Sequence, residues 1–178
     1  MLDRGGFWTP ASSTSQASFT SGALHVDVVE GLHQVMLSGS PCFGKGALAH
    51  VLPPFGFNDL ASGATYAAAL ARDRSLVVSA EPLEIVEGWD AATGIAATTM
   101  DDGLTVFDVF GADLDDLVSM ATTIDRRERT ASSAILFASI SCVAYRHASR
   151  MSLRIHVERP LAPHLAEWIR RAMEAHGS

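Results

Sequence analysis

Apolar and polar residues alternate along this chain in short blocks of two kinds. Blocks rich in β-branched and aromatic residues predict strands, and blocks with apolar residues at helical spacing predict helices. The predicted strands are residues 33–37, 66–72, 75–80, 95–100, 104–110, 134–145 and 152–157. The predicted helices are residues 41–52, a segment that begins at Pro82 with Leu83, Val86 and Trp89 on one face, a helix capped by Asp113, and a closing helix with Leu161, Leu165, Trp168, Ile169 and Met173 on one stripe.

Turn signals indicate how these elements connect. Asp73-Arg74 separates two predicted strands and predicts a hairpin, and Asp101-Asp102-Gly103 predicts a tight turn between the next two. Pro53-Pro54 cannot continue the helix that precedes it. Strands and helices mixed in this way predict an α+β domain with helices packed against antiparallel sheet.

The two halves of the chain resemble each other in sequence. VMLSG with its helix (35–52) resembles VFDVFG with its helix (106–121), and the stretch 75–89 resembles 152–168. This similarity predicts two strand–helix–strand–strand–helix units, at about 33–90 and 104–175, within one domain of residues 25–178. Chance similarity is the alternative.

Composition narrows the class of protein. The chain has 178 residues with 13 Lys+Arg against 20 Asp+Glu, a net charge of −7, and 48% hydrophobic residues. A chain of this size buries a sufficient core without disulfides or structural metal, and its acidic balance argues against nucleic-acid binding. No apolar run is long enough for a membrane span, no secretion signal is evident, and two cysteines do not form a disulfide framework, so a cytoplasmic location is expected.

The charge is divided unevenly, which predicts a protein partner. Residues 1–125 hold four basic and sixteen acidic residues, whereas residues 126–178 hold nine arginines and four glutamates. Arginine is favoured at protein interfaces. We therefore take Arg126, Arg127 and Arg129 as candidate interface residues, the alternative being that the two halves attract each other within the fold.

Residues 1–24 are predicted to form an N-terminal tail. Its stretch SSTSQASFTS has no charge and little apolar surface to bury. Phe7 and Trp8 precede this stretch and Phe19 lies near its end; all three are candidate partner contacts, since their rings need a pocket. A tail that wraps a partner and a merely flexible tail both fit this composition.

Candidate catalytic chemistry is sparse. Residues 39–45 read G-x-x-x-x-G-K, but Gly46 follows where a phosphate-binding loop needs Ser or Thr, and Pro41 removes a backbone N–H; a simple strand-to-helix turn is favoured. His147 and His156 lie on neighbouring predicted strands, which favours a polar sheet face over a metal site. Cys142 lies in an apolar run and is predicted to be a core residue. We accordingly predict no catalytic, cofactor-binding or metal-binding residue.

The order of segments resembles the gamma subunit of heterotetrameric sarcosine oxidase. The likeness runs through VMLSGSPCFGKGALAHVL, ALARDRSLVVSAEP, TTMDDGLTVFDVFGADLDDLVSM, SSAILFASISCVAYRHA and SLRIHVERPLAPHLAEWI. The resemblance implies a fold similar to the folate-binding domain of the glycine-cleavage aminomethyltransferase, itself built of duplicated α+β units.

The resemblance also implies a role. It implies an accessory, non-catalytic subunit of a multi-subunit flavin oxidoreductase that acts on N-methylated or secondary amines. FAD, FMN, NAD and tetrahydrofolate would belong to larger alpha and beta subunits and zinc to a small delta subunit, with no cofactor in this chain. The alternative is a free-standing folate- or small-ligand-binding domain of one-carbon metabolism, with Asp101 and Asp102 as the first candidates for pterin contact.

Overall fold

The computed structural model describes residues 18–39, 51, 53–125 and 127–176. Twelve strands and two α-helices are present in these ranges. The strands are β1 Phe19–Ser21, β2 Leu24–Val29, β3 His33–Ser38, β4 Leu60–Ala61, β5 Thr65–Ala71, β6 Arg74–Ser79, β7 Gly88–Asp90, β8 Ile95–Thr99, β9 Leu104–Gly111, β10 Ala134–Phe137, β11 Ile140–His147 and β12 Ser149–Glu158. The helices are α1 Leu114–Ala121 and α2 Ala162–His176, the second preceded by a 3₁₀ turn at Arg159–Leu161.

One sheet carries both helices on one face. Its strand order is β1-β2-β9-β12-β11-β10, with β4 added to β11 as a parallel neighbour, and we call it the large sheet. The side chains of Leu153, Ile155 and Val157 on β12 join the core beneath the helices. Leu165, Ile169 and Met173 of α2 are buried in the same core, which confirms most of the predicted helical stripe. Cys142 is also buried there, as predicted, and burial raises the pKa of its thiol to about 12.

A second, small sheet packs against the other face of the large sheet. Its order is β5-β6-β3-β8-β7, all antiparallel, and it contains the hairpin predicted at Asp73-Arg74. Tyr66, Leu76 and Val78 point from this sheet toward Tyr145 of β11 and form a shared core with it. The fold is therefore α+β with a dominant antiparallel sheet component.

The prediction of a helix that begins at Pro82 is wrong. The segment from Pro82 to Glu87 is non-helical and leads into β7. Leu83 and Ile85 alternate onto the apolar outer face of the small sheet, a period-2 contact that a helix could not make. Tertiary packing overrides the local helical spacing here.

Two other predicted connections differ from the structure. The stretch 134–145 is two strands, because the chain reverses at Ala138-Ser139, both with positive φ, without any glycine to signal a turn. The strands on either side of Asp101–Gly103 do not pair with each other: β8 lies in the small sheet and β9 in the large sheet. The turn thus links the two sheets.

The remaining sequence predictions concern segments of which the structure describes only a part. Most of the helix predicted at 41–52, and the glycine-rich stretch that begins it, lie outside the described residues. Residues 1–17 of the predicted tail also lie outside them, whereas Phe19–Ser21 is β1 and Leu24 begins β2. Among the helices of the described ranges, none has the length and apolar character needed to cross a membrane.

The strand orders of the two sheets are related, but the predicted duplication is not established. The order β5-β6-β3-β8 in the small sheet corresponds to the order β11-β12-β9-β2 in the large sheet. Strand β2, which precedes β3 in the sequence, pairs with β9, and strand β8, which precedes β9, pairs with β3. The closing helix expected for the first unit does not form at residues 82–87, which are non-helical. The duplicated strand–helix–strand–strand–helix plan therefore stays a prediction.

Gly111 allows β2 to approach the end of β9, and we expect Gly111→Ala to destabilise the protein by about 2–3 kcal/mol. Gly111 has a φ of +138°, and a Cβ there would lie 2.0 Å from the carbonyl oxygen of Ala23. Gly31→Ala is the matched control, because Gly31 has a φ of +74° but nothing within 4 Å of a Cβ. Urea unfolding of both variants measures the difference; an equal loss would show that the close approach contributes nothing.

Candidate functional site

A network of polar side chains is buried between the two sheets. Because Leu153, Ile155 and Val157 face the helices, Arg154 and His156 of β12 face the small sheet. We define the inter-sheet network by its members, which come from five strands: Gln34 on β3, Tyr66 on β5, Asp108 on β9, Tyr145 and His147 on β11, and Arg154 and His156 on β12.

Hydrogen bonds join this network from end to end. His156 Nδ1 donates to Gln34 Oε1 at 2.6 Å, and His156 Nε2 lies 2.7 Å from the Tyr145 hydroxyl. The hydroxyls of Tyr145 and Tyr66 are 3.1 Å apart, and Arg154 Nη1 donates to the Tyr66 hydroxyl at 2.8 Å. The side chains of Gln34, His156, Tyr145, Tyr66 and Arg154 are thus joined in one hydrogen-bonded series, and buried polar groups require such partners.

A bidentate ion pair between Arg154 and Asp108 lies at one end of the network. Arg154 Nε and Nη2 donate to the two carboxylate oxygens of Asp108 at 2.7 and 2.6 Å. The Arg154 side chain is only 7% exposed. Burial opposes its charged form, but the hydrogen bonds and negative charge of Asp108 raise the pKa of Arg154 above its usual value. This bidentate geometry is the strongest form of the arginine–carboxylate pair.

The two histidines of the network are held neutral. Complete burial, together with the positive charge of Arg154, lowers the pKa of His156 to about 3. Burial and Arg154 also lower the pKa of His147, whose Nδ1 lies 3.9 Å from Asp108. In neutral His156 the N–H at Nδ1 donates its hydrogen bond to Gln34 Oε1, so Nε2 carries no proton and accepts from the Tyr145 hydroxyl.

The two tyrosines are also held in their neutral form. Burial raises the pKa of Tyr66 and raises the pKa of Tyr145 well above its ordinary value. The network therefore contains neutral donors and acceptors around one compensated ion pair. Such an arrangement is suited to fixing the position of the two sheets rather than to proton transfer at neutral pH.

A small open cleft lies beside the network. It has a volume of about 230 Å³ and is bordered by the β2–β3 turn, Gln34, Asp101, Thr105 and Arg159. The Asp101 carboxylate accepts a hydrogen bond from the backbone N–H of Gln34 and lies 3.2 Å from His33 Nδ1, so it links the turn between β8 and β9 to the start of β3. Pockets for drug-sized ligands occupy roughly 300–1,000 Å³, so the cleft is smaller than a folate would need.

Three of the predicted interface residues lie in the described part of the chain, in two places. Phe19 lies partly buried on the core, with the Arg170 guanidinium 4.4 Å above its ring. Arg127 and Arg129 are exposed on the loop before β10, and Arg129 pairs with Asp59 at 2.9 Å. Phe7, Trp8 and Arg126 lie outside the described residues. Among the predicted interface aromatics, Phe19 is therefore the one whose position the described residues give.

Sequence reasoning found part of the network. It placed His147 and His156 on a polar sheet face but missed the other five members, Gln34, Tyr66, Asp108, Tyr145 and Arg154. The available signal was the alternation of polar Arg154 and His156 with apolar residues on a strand that is otherwise core. Within the described ranges, no group of three or more His, Cys, Asp or Glu side chains is arranged to hold a metal ion.

Comparison with known proteins locates this fold. No family model matches the sequence, and no curated protein matches it significantly. A chain of the heterotetrameric sarcosine oxidase from Corynebacterium sp. U-96, solved in complex with pyrrole 2-carboxylate, matches it with a TM-score of 0.67 and 18% sequence identity. The match covers 94% of this chain and 93% of that chain. The protein therefore has the fold of a chain of a heterotetrameric sarcosine oxidase.

Proposed function

We propose that this chain is an accessory, gamma-type subunit of a sarcosine oxidase-like flavin oxidoreductase that acts on N-methylated or secondary amines. The observation that carries the proposal is the match to a chain of a heterotetrameric sarcosine oxidase over nearly the full length of both chains. Two chains matched over 94% and 93% of their residues have nearly the same length. This favours a small subunit as the counterpart over a large cofactor-bearing one.

The inter-sheet network supports a scaffolding role. Its polar atoms are turned toward one another between the sheets, and its histidines and tyrosines are neutral. The chemistry of the complex would then belong to companion chains. We propose that FAD, FMN, NAD and tetrahydrofolate are held by the larger alpha and beta subunits and zinc by a small delta subunit.

Co-expression with the flavin-bearing chains that the proposal requires tests it. We expect a tagged copy of this chain to retain those chains through affinity and size-exclusion steps, with flavin absorbance in the same peak. A monodisperse monomer that elutes without flavin would contradict the proposal.

The arginine cluster gives this experiment a second arm. Arg127 and Arg129 are exposed, so alanines at 126, 127 and 129 are expected to lower recovery of the complex while leaving the unfolding midpoint of the isolated chain nearly unchanged. Equal loss of assembly and of stability would show that the cluster acts inside the fold.

Calorimetry distinguishes the accessory-subunit proposal from the folate-binding alternative. Tetrahydrofolate added to the isolated chain should give no heat of binding if the chain is an accessory subunit. Binding that Asp101→Asn or Asp102→Asn weakens would favour the alternative instead, since both residues belong to the turn at the cleft, which Asp101 lines.

A further inference from the structure

The segment Glu81–Asp90, which we call the acidic edge, forms an open border of the small sheet. Its last three residues are β7, the final strand in the order β5-β6-β3-β8-β7. Strand β7 pairs with β8 on one side, and no other described strand pairs with its outer side. An edge strand of this kind offers its backbone groups to another polypeptide.

The opposite border of the same sheet is closed. The segment before β4 lies along β5, where Phe55 N donates to Ala67 O at 3.1 Å and Ala69 N donates to Phe55 O at 2.8 Å. Ser133 N also donates to Ala69 O there, at 2.6 Å. The fold thus covers one edge of the small sheet with its own chain and leaves the β7 edge uncovered by described residues.

Two large apolar side chains on the acidic edge face solvent. Val86 is 90% exposed and Trp89 is 68% exposed, the two highest values among the exposed large apolar residues of the described ranges. Leu83 and Ile85 of the same segment are anchored on the sheet, so the backbone that presents Val86 and Trp89 is held in place. Exposed tryptophan on a fixed backbone is typical of the anchor residues of protein interfaces.

The negative charge of the acidic edge favours a partner segment that carries basic residues. Glu81, Glu84, Glu87 and Asp90 recur at every third residue, and the segment has no basic residue. Within the described part of the chain, none of the four forms an ion pair with an arginine. Glu87 instead accepts from Thr99 N at 2.8 Å, and Asp90 accepts from Ala92 N and Thr93 Oγ1. The four carboxylates are therefore available to pair with basic side chains of a partner.

We propose that the acidic edge is a docking surface for an extended, basic segment of a companion subunit, which adds a strand to β7. Main-chain pairing with β7 would give the segment its register, Val86 and Trp89 would receive its apolar side chains, and the four carboxylates would receive its Lys or Arg. This docking surface rests on the proposed function, since the occupant is a larger chain of the same complex.

A peptide probe tests the chemistry of this surface on the full chain. The probe is a labelled seven-residue peptide that alternates Arg or Lys with Val, and its control alternates Glu with Val. We expect anisotropy to detect the basic peptide alone, with binding that weakens as salt is raised. The double variant Val86→Ser/Trp89→Ser should weaken binding at least tenfold. Leu136→Ser is the matched control, because Leu136 is 63% exposed on the edge strand β10 and should leave binding unchanged.

With the isolated chain, three results would overturn the docking surface: equal binding of both peptides, full binding by the double variant with unchanged circular dichroism, or a dimer of this chain that the double variant abolishes. In co-expression, the double variant should lose the flavin chains while the Leu136→Ser control retains them. Retention by the double variant would overturn the docking surface and leave the proposed function standing. If the wild-type chain itself fails to retain the flavin chains, the proposed function fails, and the peptide result decides the surface separately.

Discussion

Replacing Arg154 by methionine is expected to lower the free energy of unfolding by about 3–5 kcal/mol. The substitution keeps an unbranched chain in the same space but removes the guanidinium that pairs with both oxygens of Asp108. It also removes the donor to the Tyr66 hydroxyl at 2.8 Å. The Asp108 charge would then remain between the sheets without its counter-ion. Chemical denaturation monitored by circular dichroism measures the loss.

A double variant separates the effect of the unpaired charge from the loss of contacts. Asp108→Leu combined with Arg154→Met replaces the ion pair by apolar groups, and we expect it to be more stable than Arg154→Met alone. The exposed pair of Arg171 with Glu167, joined at 2.7 Å, provides a surface control, and Arg171→Met should cost less than about 1 kcal/mol. If Arg154→Met costs no more than Arg171→Met, the inter-sheet ion pair does not stabilise the fold.

Stability is expected to fall as the pH is lowered from about 6.5 toward 3, with His156 as a main cause. Its pKa is about 3 in the folded protein and 6.5 when unperturbed, so in this window the unfolded chain binds a proton that the folded chain does not. The contribution is fully present above about pH 6.5 and is lost by about 1.4 kcal/mol per pH unit below it, to at most about 5 kcal/mol. Denaturant midpoints collected across this range measure the slope.

The variant His156→Gln isolates this contribution from that of the carboxylates. Glutamine can still form a hydrogen bond with Gln34 or Tyr145 but has no proton to gain. We expect the variant to be less stable than the wild type at pH 7 and to show a flatter decline below pH 6.5. Parallel profiles for the two proteins would show that His156 does not control the acid response.

The difference between sequence and structure is clearest in the segment after Pro82. Proline at a helix start and apolar residues at helical spacing are local features, and they predicted a helix with Leu83, Val86 and Trp89 on one face. In the structure, Leu83 and Ile85 occupy the apolar outer face of the small sheet, and Val86 and Trp89 face solvent. The helix prediction failed because the sheet that receives this segment is assembled from distant strands.

The candidate site illustrates the same division. The prediction of two neighbouring strands was enough to expect His147 and His156 on a polar face of a sheet. Their partners could not be inferred, because Gln34 and Tyr66 come from another sheet, and Gln34 is 122 positions from His156. No local pattern records contacts at that separation, so the buried network and its pKa shifts could not be predicted.

Local physical chemistry thus determined the α+β class, most strands, both described helices and the core position of Cys142, because periodicity, turn residues and helix-face burial act over a few residues. Only the tertiary structure decided which strands share a sheet, that Asp101–Gly103 links two sheets, and that Arg154 meets Asp108 and Tyr66. These features depend on pairing and on the packing of one sheet against another. Both bring together residues that the sequence separates widely.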